Sequence, residues 1–424
     1  MAERILVVGG GAREHALVWK LARSRRVAAL FAAPGNPGIA KIAETVPVAA
    51  TDIEGLVAAA GQLRIDLVVV GPETPLALGL ADRLVAAGLR VCGASQAAAR
   101  IESSKAWSKT VMAEAGVPTA RAAIVTDLAT ALMALTDFDL PVVIKADGLA
   151  AGKGVLVATT RDEARLALTS FLEDGTLGAA GRTVLIEECL VGREVSVIAL
   201  TDGTTVLPLS PACDYKRAAD GDRGPNTGGM GAYTPVPMVD VALLDRIRIE
   251  VLEPTVRALA ERDAPLRGVL YAGLMLTADG PRTLEFNARF GDPEAQVILP
   301  VLDGDLVELL AAVADGTLAT VTPPPPPVEA AVGVVLAAGG YPGPARANAP
   351  LHGLDAVPDD LLIFHAGTRR DASGALVTAG GRVLTVVGRG ATLAAARERV
   401  YAGVGAITFP GRQYRTDIAR LELS

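Results

Sequence analysis

Histidine and cysteine are scarce in this 424-residue chain, with three of each. His15, His352 and His365 form no HExxH arrangement, which leaves no histidine-built zinc site to expect. Cys92, Cys189 and Cys213 lie far apart and make no CxxC pair. An odd count, with Glu3 and Arg4 running straight into apolar Ile5–Val8 instead of a leader, points to a reducing cytoplasm. No apolar stretch of about 18 residues escapes interruption by charge, Gly or Pro, so no membrane-spanning helix is expected. Basic excess is also missing. Forty Lys and Arg face 47 Asp and Glu, a net charge of −7, which argues against a nucleic-acid partner. With only seven Phe, six Tyr and two Trp, the cores must be filled by Ala, Val and Leu. What is plentiful is apolar residue: half the chain is hydrophobic and 21% is charged, too apolar for disorder. At roughly 150 residues per domain, the length suits about three domains.

Along the first hundred residues, short apolar runs stop at glycine or proline turns. Ile5–Val8 ends in Gly9-Gly10-Gly11, Ala28–Ala32 in Pro34-Gly35-Asn36, Asp66–Val70 in Gly71-Pro72, and Leu89–Cys92 in Gly93. A helical stretch, Glu14–Ala22, follows the first turn. This is the pattern of a parallel sheet buried on both faces, and the loops at Gly9, Pro34 and Gly71 should line one rim. From about Glu102 the texture changes. Strand-like runs occur at 142–146, 155–158, 184–187, 195–200, 270–277 and 283–290; the last two are joined by Ala278-Asp279-Gly280, which marks an antiparallel hairpin. Pro323–Pro327 reads as a semi-rigid linker. Beyond it, runs at 330–338 and 383–387 and a helical 392–400 suggest a small α+β module. The expected divisions are 1–101 (α/β), 102–325 and 326–424 (α+β).

Several segments carry possible chemistry. Gly9-Gly10-Gly11 fails the dinucleotide fingerprint, because the third glycine position falls on Glu14 and the second strand ends without an acid. It is either a phosphate-holding turn or a tight structural one. Lys145 to Gly154 is a glycine loop between strands that fails the Walker A spacing but suits a cover over phosphates. Lys145, inside an apolar strand, needs an anion beside it, either a phosphate or a structural carboxylate. Glu187, Glu188 and Glu194 flank a strand end, where a purine nucleoside or plain solvent would suit them. Asp214-Tyr215-Lys216-Arg217 and Gly224–Tyr233 read as a glycine-rich active-site loop or a tether.

Leu284–Phe290 has the clearest local geometry. Strand alternation puts Glu285, Asn287 and Arg289 on one face and Leu284, Phe286 and Phe290 on the other. A carboxylate and an amide oxygen suit Mg²⁺, which accepts one or two carboxylates and leaves room for substrate phosphates. Arg289 could clamp a carboxylate or phosphate, and the charged turn Gly291-Asp292-Pro293-Glu294 follows at once.

Together these segments resemble the ATP-grasp superfamily and, within it, the glycinamide ribonucleotide synthetases of purine biosynthesis. Arg13-Glu14-His15-Ala16-Leu17, Lys145–Gly154, Gly224–Tyr233 and Arg289–Glu294 carry the resemblance, which runs over nearly the whole chain. It implies a central ATP-grasp fold over 102–325 with a mobile lid at about 122–190. Lys105 and Lys145 would contact ATP phosphates beneath a loop that includes Gly152, Lys153 and Gly154. Glu187 and Leu190 would border the adenine, Glu188 would lie on the same hinge of the ATP site, and Glu194 would hold the ribose. Glu285 and Asn287 would bind Mg²⁺ or Mn²⁺. Lys145, Arg289 and Asp292 would act at the reacting groups. Gly10, Gly11, Asp214, Lys216, Asn226, Thr227, Gly228, Gly229 and Gly291, with Arg289 and Asp292, would surround the substrates. Gly10, Ala12 and Tyr215 depart from more usual family choices; some relatives have His at the last.

The implied reaction joins glycine to 5-phosphoribosylamine with ATP, through glycyl phosphate. A carboxylate is a poor electrophile, whereas an acyl phosphate has a good leaving group. Two alternatives stand beside it: an ATP-grasp ligase for another carboxylate–amine pair, and a nucleotide-binding module without turnover.

Overall fold

Apolar strands that end at glycine build the amino-terminal sheet of the computed structural model, which describes residues 2–148 and 154–423. Five parallel strands lie in the order Glu44–Thr45, Val27–Pro34, Glu3–Gly9, Leu67–Val70 and Arg90–Cys92. Ile5, Leu6, Val7 and Val8 in the middle strand are all fully buried, as a sheet covered on both faces requires. Its end meets the neighbouring loops directly: the N–H of Gly35 donates to Gly9 O (3.1 Å) and that of Gly71 to Val8 O (3.0 Å). The three loops therefore share one rim, as expected from the sequence.

The central part rests on a four-stranded antiparallel sheet ordered Val206–Pro208, Arg193–Asp202, Arg267–Thr277 and Gly280–Asn287. The expected hairpin across Asp279-Gly280 is present, but its second strand stops at Asn287, not at Phe290. The N–H of Ala288 is taken by the Glu102 carboxylate (2.9 Å), so the chain leaves the sheet there. A second four-stranded sheet, Ala122–Val125, Val184–Glu188, Val142–Ala146 and Val155–Ala158, has its own core. Helices Leu128–Leu135 and Arg161–Leu172 supply Ala131, Leu135, Ala164 and Leu168 to it.

The last sheet corrects the reading of the glycine-rich segment as loop alone. Its strands are Cys213–Asp214, Gly231–Thr234, Ala330–Ala337, Arg382–Gly390 and Leu362–His365, so two of the five come from before the proline run. Gly231–Thr234 is wholly buried, and Arg217–Ala219 pairs with Arg223–Asn226 as a separate two-stranded hairpin. The proline run at 323–327 divides the sequence but not this sheet. The terminal helix runs Leu393–Val404, four residues past the expected end.

Two histidines close the seam between the first and last sheets. The backbone N–H of His365 donates to His15 Nδ1 (2.8 Å), and the Asn36 amide bridges His365 O (2.8 Å) and Gly10 O (2.9 Å). Burial pushes the imidazole of His15 down to about 3 and that of His365 to about 4, with Lys41 adding to both effects and His365 to that on His15. Unfolded imidazoles take up protons below about pH 6.5 while these stay neutral, so stability is lost as pH falls. Each is worth on the order of 2 kcal/mol at pH 5. Urea unfolding at pH 7 and pH 5 should show a larger loss for the wild type than for His15→Asn, which keeps an acceptor and cannot titrate. Equal losses would remove the assignment.

Candidate active site

Glu285 and Asn287 stand two residues apart on one strand, and so share a face. Opposite Glu285 lies Gly273, where a Cβ would come within 3.3 Å of the glutamate's Cγ; the missing side chain leaves the carboxylate its place. Burial alone would raise the Glu285 pKa, but Lys216, Lys145, Lys105 and Arg289 outweigh it and hold the group below its ordinary value. Neither Glu285 nor Asn287 has a side-chain hydrogen-bond partner among the described residues. The donor set fits a hard divalent cation that keeps positions for phosphate. It does not form a cage of its own, since no cluster of three or more His, Cys, Asp or Glu side chains suited to a metal occurs among the described residues.

Two of the lysines that act on Glu285 lie on regular elements. Lys105 opens the helix Lys105–Glu114 and donates to Gly148 O (3.2 Å); burial lowers its pKa against the pull of Glu285. Lys145, in the strand Val142–Ala146, donates to Leu284 O (3.2 Å) and pairs with Glu187 (2.8 Å). Glu187 is only 2% exposed, and its other oxygen lies 3.4 Å from Lys109. The anion beside Lys145 in this structure is therefore a protein carboxylate. Lys109 was missed from the sequence, although its place four residues after Lys105 put both on one helix face. Burial lowers its pKa to about 8, with Glu187 opposing.

The remaining expected nucleotide contacts lie around the same strand end. Glu188 accepts from the backbone of Arg121 (2.9 Å) and approaches Arg282 (3.5 Å), so its carboxylate ties the strand Val184–Glu188 to the strand Gly280–Asn287. Leu190 is half-buried beyond the strand, and Glu194 pairs with Lys216 (2.9 Å). Gly154 O accepts from Ala146 N (2.7 Å), closing the base of the glycine loop; Gly152 and Lys153 lie outside the described residues.

Arg289, expected on the strand face, sits just past the strand and is held by two acids. Its guanidinium lies 3.0 Å from Glu102 and 3.4 Å from Glu73. Asp292 is likewise engaged: Gln296 donates to one oxygen (2.7 Å) and Arg382 to the other (2.9 Å), and its pKa is held low by Arg382 and Arg13 against burial. Gly291 leaves room for Glu294, whose carboxylate would meet a Cβ at 2.5 Å and accepts from Ser196 (3.1 Å) and Tyr271 (3.0 Å). Glu102 and Arg382 were not singled out from the sequence, whereas Glu294 stood in the charged turn without a role of its own. Glu102 lies near the end of a helix, and Arg382 precedes an apolar run far along the chain.

The segment from Asp214 to Gly229 borders the same charged cleft, since Asp214 and Lys216 lie within electrostatic range of Glu285. Asp214 is pushed up by burial and by Glu294, Glu194 and Glu285, with Lys216 opposing. Lys216 stays protonated far above neutrality, because Asp214 and Glu194 outweigh its burial. Thr227 folds back to Lys216 O through both its N–H (2.7 Å) and hydroxyl (2.8 Å). Gly228 donates to the Tyr341 hydroxyl (2.9 Å) and accepts from Arg382, and Gly229, at φ +105°, packs against Pro293. Asn226 is exposed on the hairpin. At the amino-terminal turn, Gly10 has Gly35 O where a Cβ would be, and the N–H of Gly11 is taken by Glu14 (2.6 Å). That donor belongs to the helix's own capping carboxylate, which favours the structural reading of this turn.

Four cations thus converge on one carboxylate–amide pair, an arrangement suited to a metal–polyphosphate. Models of the phosphoribosylglycinamide synthetase family match in three parts: the N domain over 3–102, the ATP-grasp (A) domain over 103–295 and the C domain over 331–421. Phosphoribosylamine–glycine ligase of Caulobacter vibrioides is 51% identical over 415 residues, 98% of this chain and 97% of that one. The crystal structure of phosphoribosylamine–glycine ligase from Thermotoga maritima superposes with a TM-score of 0.85 at 32% identity, covering 98% and 99% of the two chains. The biotin carboxylase domain of Hydrogenobacter thermophilus 2-oxoglutarate carboxylase shares the fold, with a TM-score of 0.76 at 17% identity over 98% and 92%. Matched along nearly its whole length, the chain belongs to the phosphoribosylglycinamide synthetase family.

Proposed function

We propose that this chain joins glycine to 5-phosphoribosylamine, consuming ATP and releasing glycinamide ribonucleotide, ADP and phosphate in purine nucleotide biosynthesis. It is an ATP-dependent carbon–nitrogen ligase. The observation that carries the reading is the convergence of Lys105, Lys145, Lys216 and Arg289 on Glu285, in a chain 51% identical to a phosphoribosylamine–glycine ligase over its length.

The chemistry follows from that charge pattern. A glycine carboxylate oxygen attacks the terminal phosphorus of ATP, the bond to ADP breaks, and glycyl phosphate forms. The amine of phosphoribosylamine then attacks the acyl carbon; phosphate leaves and the amine gives up a proton. Negative charge moves over phosphoryl oxygens in both steps, and fixed cations stabilise it without reorganising. In this reading Lys105 and Lys145 contact the phosphates, and Arg289, locked by Glu102 and Glu73, meets an anion at the reacting end; the burial of these cations beside Glu285 supports it. Glu285 and Asn287 are the residues to hold Mg²⁺ or Mn²⁺, which when bound supplies charge neutralisation on the phosphoryl oxygens. Asp214 and Lys216 offer opposite charges to an amino acid or amine substrate. A cytoplasmic setting suits three free cysteines, and a net charge of −7 suits small-molecule partners better than nucleic acid. No helix among the described residues is long and apolar enough to cross a membrane.

Release of ADP from ATP and Mg²⁺ should require both glycine and phosphoribosylamine formed in place from ribose 5-phosphate and ammonia. Mass spectrometry should then find glycinamide ribonucleotide; ADP release with nucleotide binding but no dependence on this pair would overturn the substrate assignment. Glu285→Ala should lower turnover by about 100-fold or more at ordinary Mg²⁺ while its circular dichroism matches wild type. Normal turnover in that variant would remove the metal assignment.

A further inference from the structure

Lys216 and Asp214 owe their place to a part of the chain that none of the motifs contains. Between them lies Tyr215, and in an extended run its side chain points away from theirs. Its hydroxyl accepts the backbone N–H of Ala419 (3.0 Å), and its ring lies 4.6 Å from the guanidinium carbon of Arg415. Arg415 is 1% exposed, a position costly for a cation without full pairing. Two hydrogen bonds of 2.7 Å join it to Asp417, a third of 2.7 Å reaches Asp222, and a fourth of 3.1 Å reaches Arg217 O.

Around this arginine the tail continues to grip the hairpin. Asp417 accepts from Gly221 N (2.8 Å), and Thr416 donates to Asp220 through its N–H (2.8 Å) and its hydroxyl. Among the described residues the hairpin Arg217–Asn226 pairs with no other sheet strand, and an isolated two-stranded hairpin is marginal in water. Its position is set from outside, by residues 415–419.

We propose that Arg415 is a positioning residue: through Tyr215 and the hairpin it fixes Asp214 and Lys216 in the cleft, without touching substrate. This rests on the ligase reading for its kinetic consequence but not for its structural one. It also gives Tyr215 a task of its own, since the phenol reaches Ala419 N while its ring covers the Arg415 cation.

The test uses the full-length enzyme with Arg415→Met, Arg415→Lys and Tyr215→Phe. Hydrogen–deuterium exchange should rise in peptides spanning 214–226 in Arg415→Met and be restored in part by Arg415→Lys. In the same proteins, kcat/KM for glycine and phosphoribosylamine should fall about 10- to 100-fold in Arg415→Met, the scale of lost charge-assisted hydrogen bonds. Affinity for ADP, read by a fluorescent analogue, should fall by a smaller factor than kcat/KM, because Lys105, Lys145 and Glu187 sit on other elements and only Glu194 pairs with Lys216. Arg415→Lys and Tyr215→Phe should fall between Arg415→Met and wild type. Unchanged exchange at 214–226 overturns the proposal, and so does an equal loss of nucleotide affinity, which marks general damage to the fold. If Arg415→Met does not fold, Tyr215→Phe decides, through the same exchange and kinetic readouts. Absence of wild-type turnover with this substrate pair would defeat the ligase reading alone, since exchange still decides the positioning.

Discussion

The carboxylate of Glu102 is the constraint from which the rest of the cleft is hung. It sits nearly buried at the end of the helix Gln96–Ser103, where an unpaired charge would be untenable. Two partners compensate it: the backbone N–H of Ala288 and the guanidinium of Arg289. The first ends the strand that carries Glu285 and Asn287. The second takes an arginine that would otherwise continue along that strand and fixes it beside the turn. Helix, strand end and turn are thereby joined at one point, and the Glu285–Asn287 face and the Arg289 guanidinium acquire a fixed separation.

Charge balance in the cleft follows the same logic. Lys145, Lys216 and Arg289 each pair with a protein acid, yet the acids are shared: Glu187 serves Lys145 and Lys109, while Lys216 lies between Asp214 and Glu194. Glu285 stays ionised because several cations surround it, not because one pairs with it closely. Such a site has attraction to spare for a polyanion without any cation being left bare in a dry interior.

Local periodicity made much of this legible. Apolar runs stopping at glycine disclosed the parallel sheet and its rim, Asp279-Gly280 disclosed the hairpin, and alternation along Leu284–Asn287 placed Glu285 and Asn287 together. Alternation failed at Arg289 because a side chain from 186 residues earlier captures the backbone at Ala288. The same cause hid Arg382 and Arg415. Their partners lie 90 and 193 residues away, at Asp292 and Asp222, and no spacing rule connects such positions. Gly231–Thr234 went unread as a strand because it opens on glycine in a glycine-rich setting and pairs with Ala330–Ala337, across the proline run. Glu187, expected to border an adenine, lies near the end of the strand Val184–Glu188, and its carboxylate is shared by two lysines that no local pattern pairs with it.

The sheet shared between 213–234 and 330–390 also bears on how the chain is made. During synthesis the amino-terminal parallel sheet has all its strands once Cys92 has emerged. Gly231–Thr234, by contrast, must wait about a hundred residues for its neighbour, and that neighbour waits again for Arg382–Gly390. For that interval one edge of a strand that ends up buried has no partner, which is the condition in which chains pair with one another instead. The enzyme's least protected moment is therefore on the ribosome, and cutting the gene at the proline run would make it permanent.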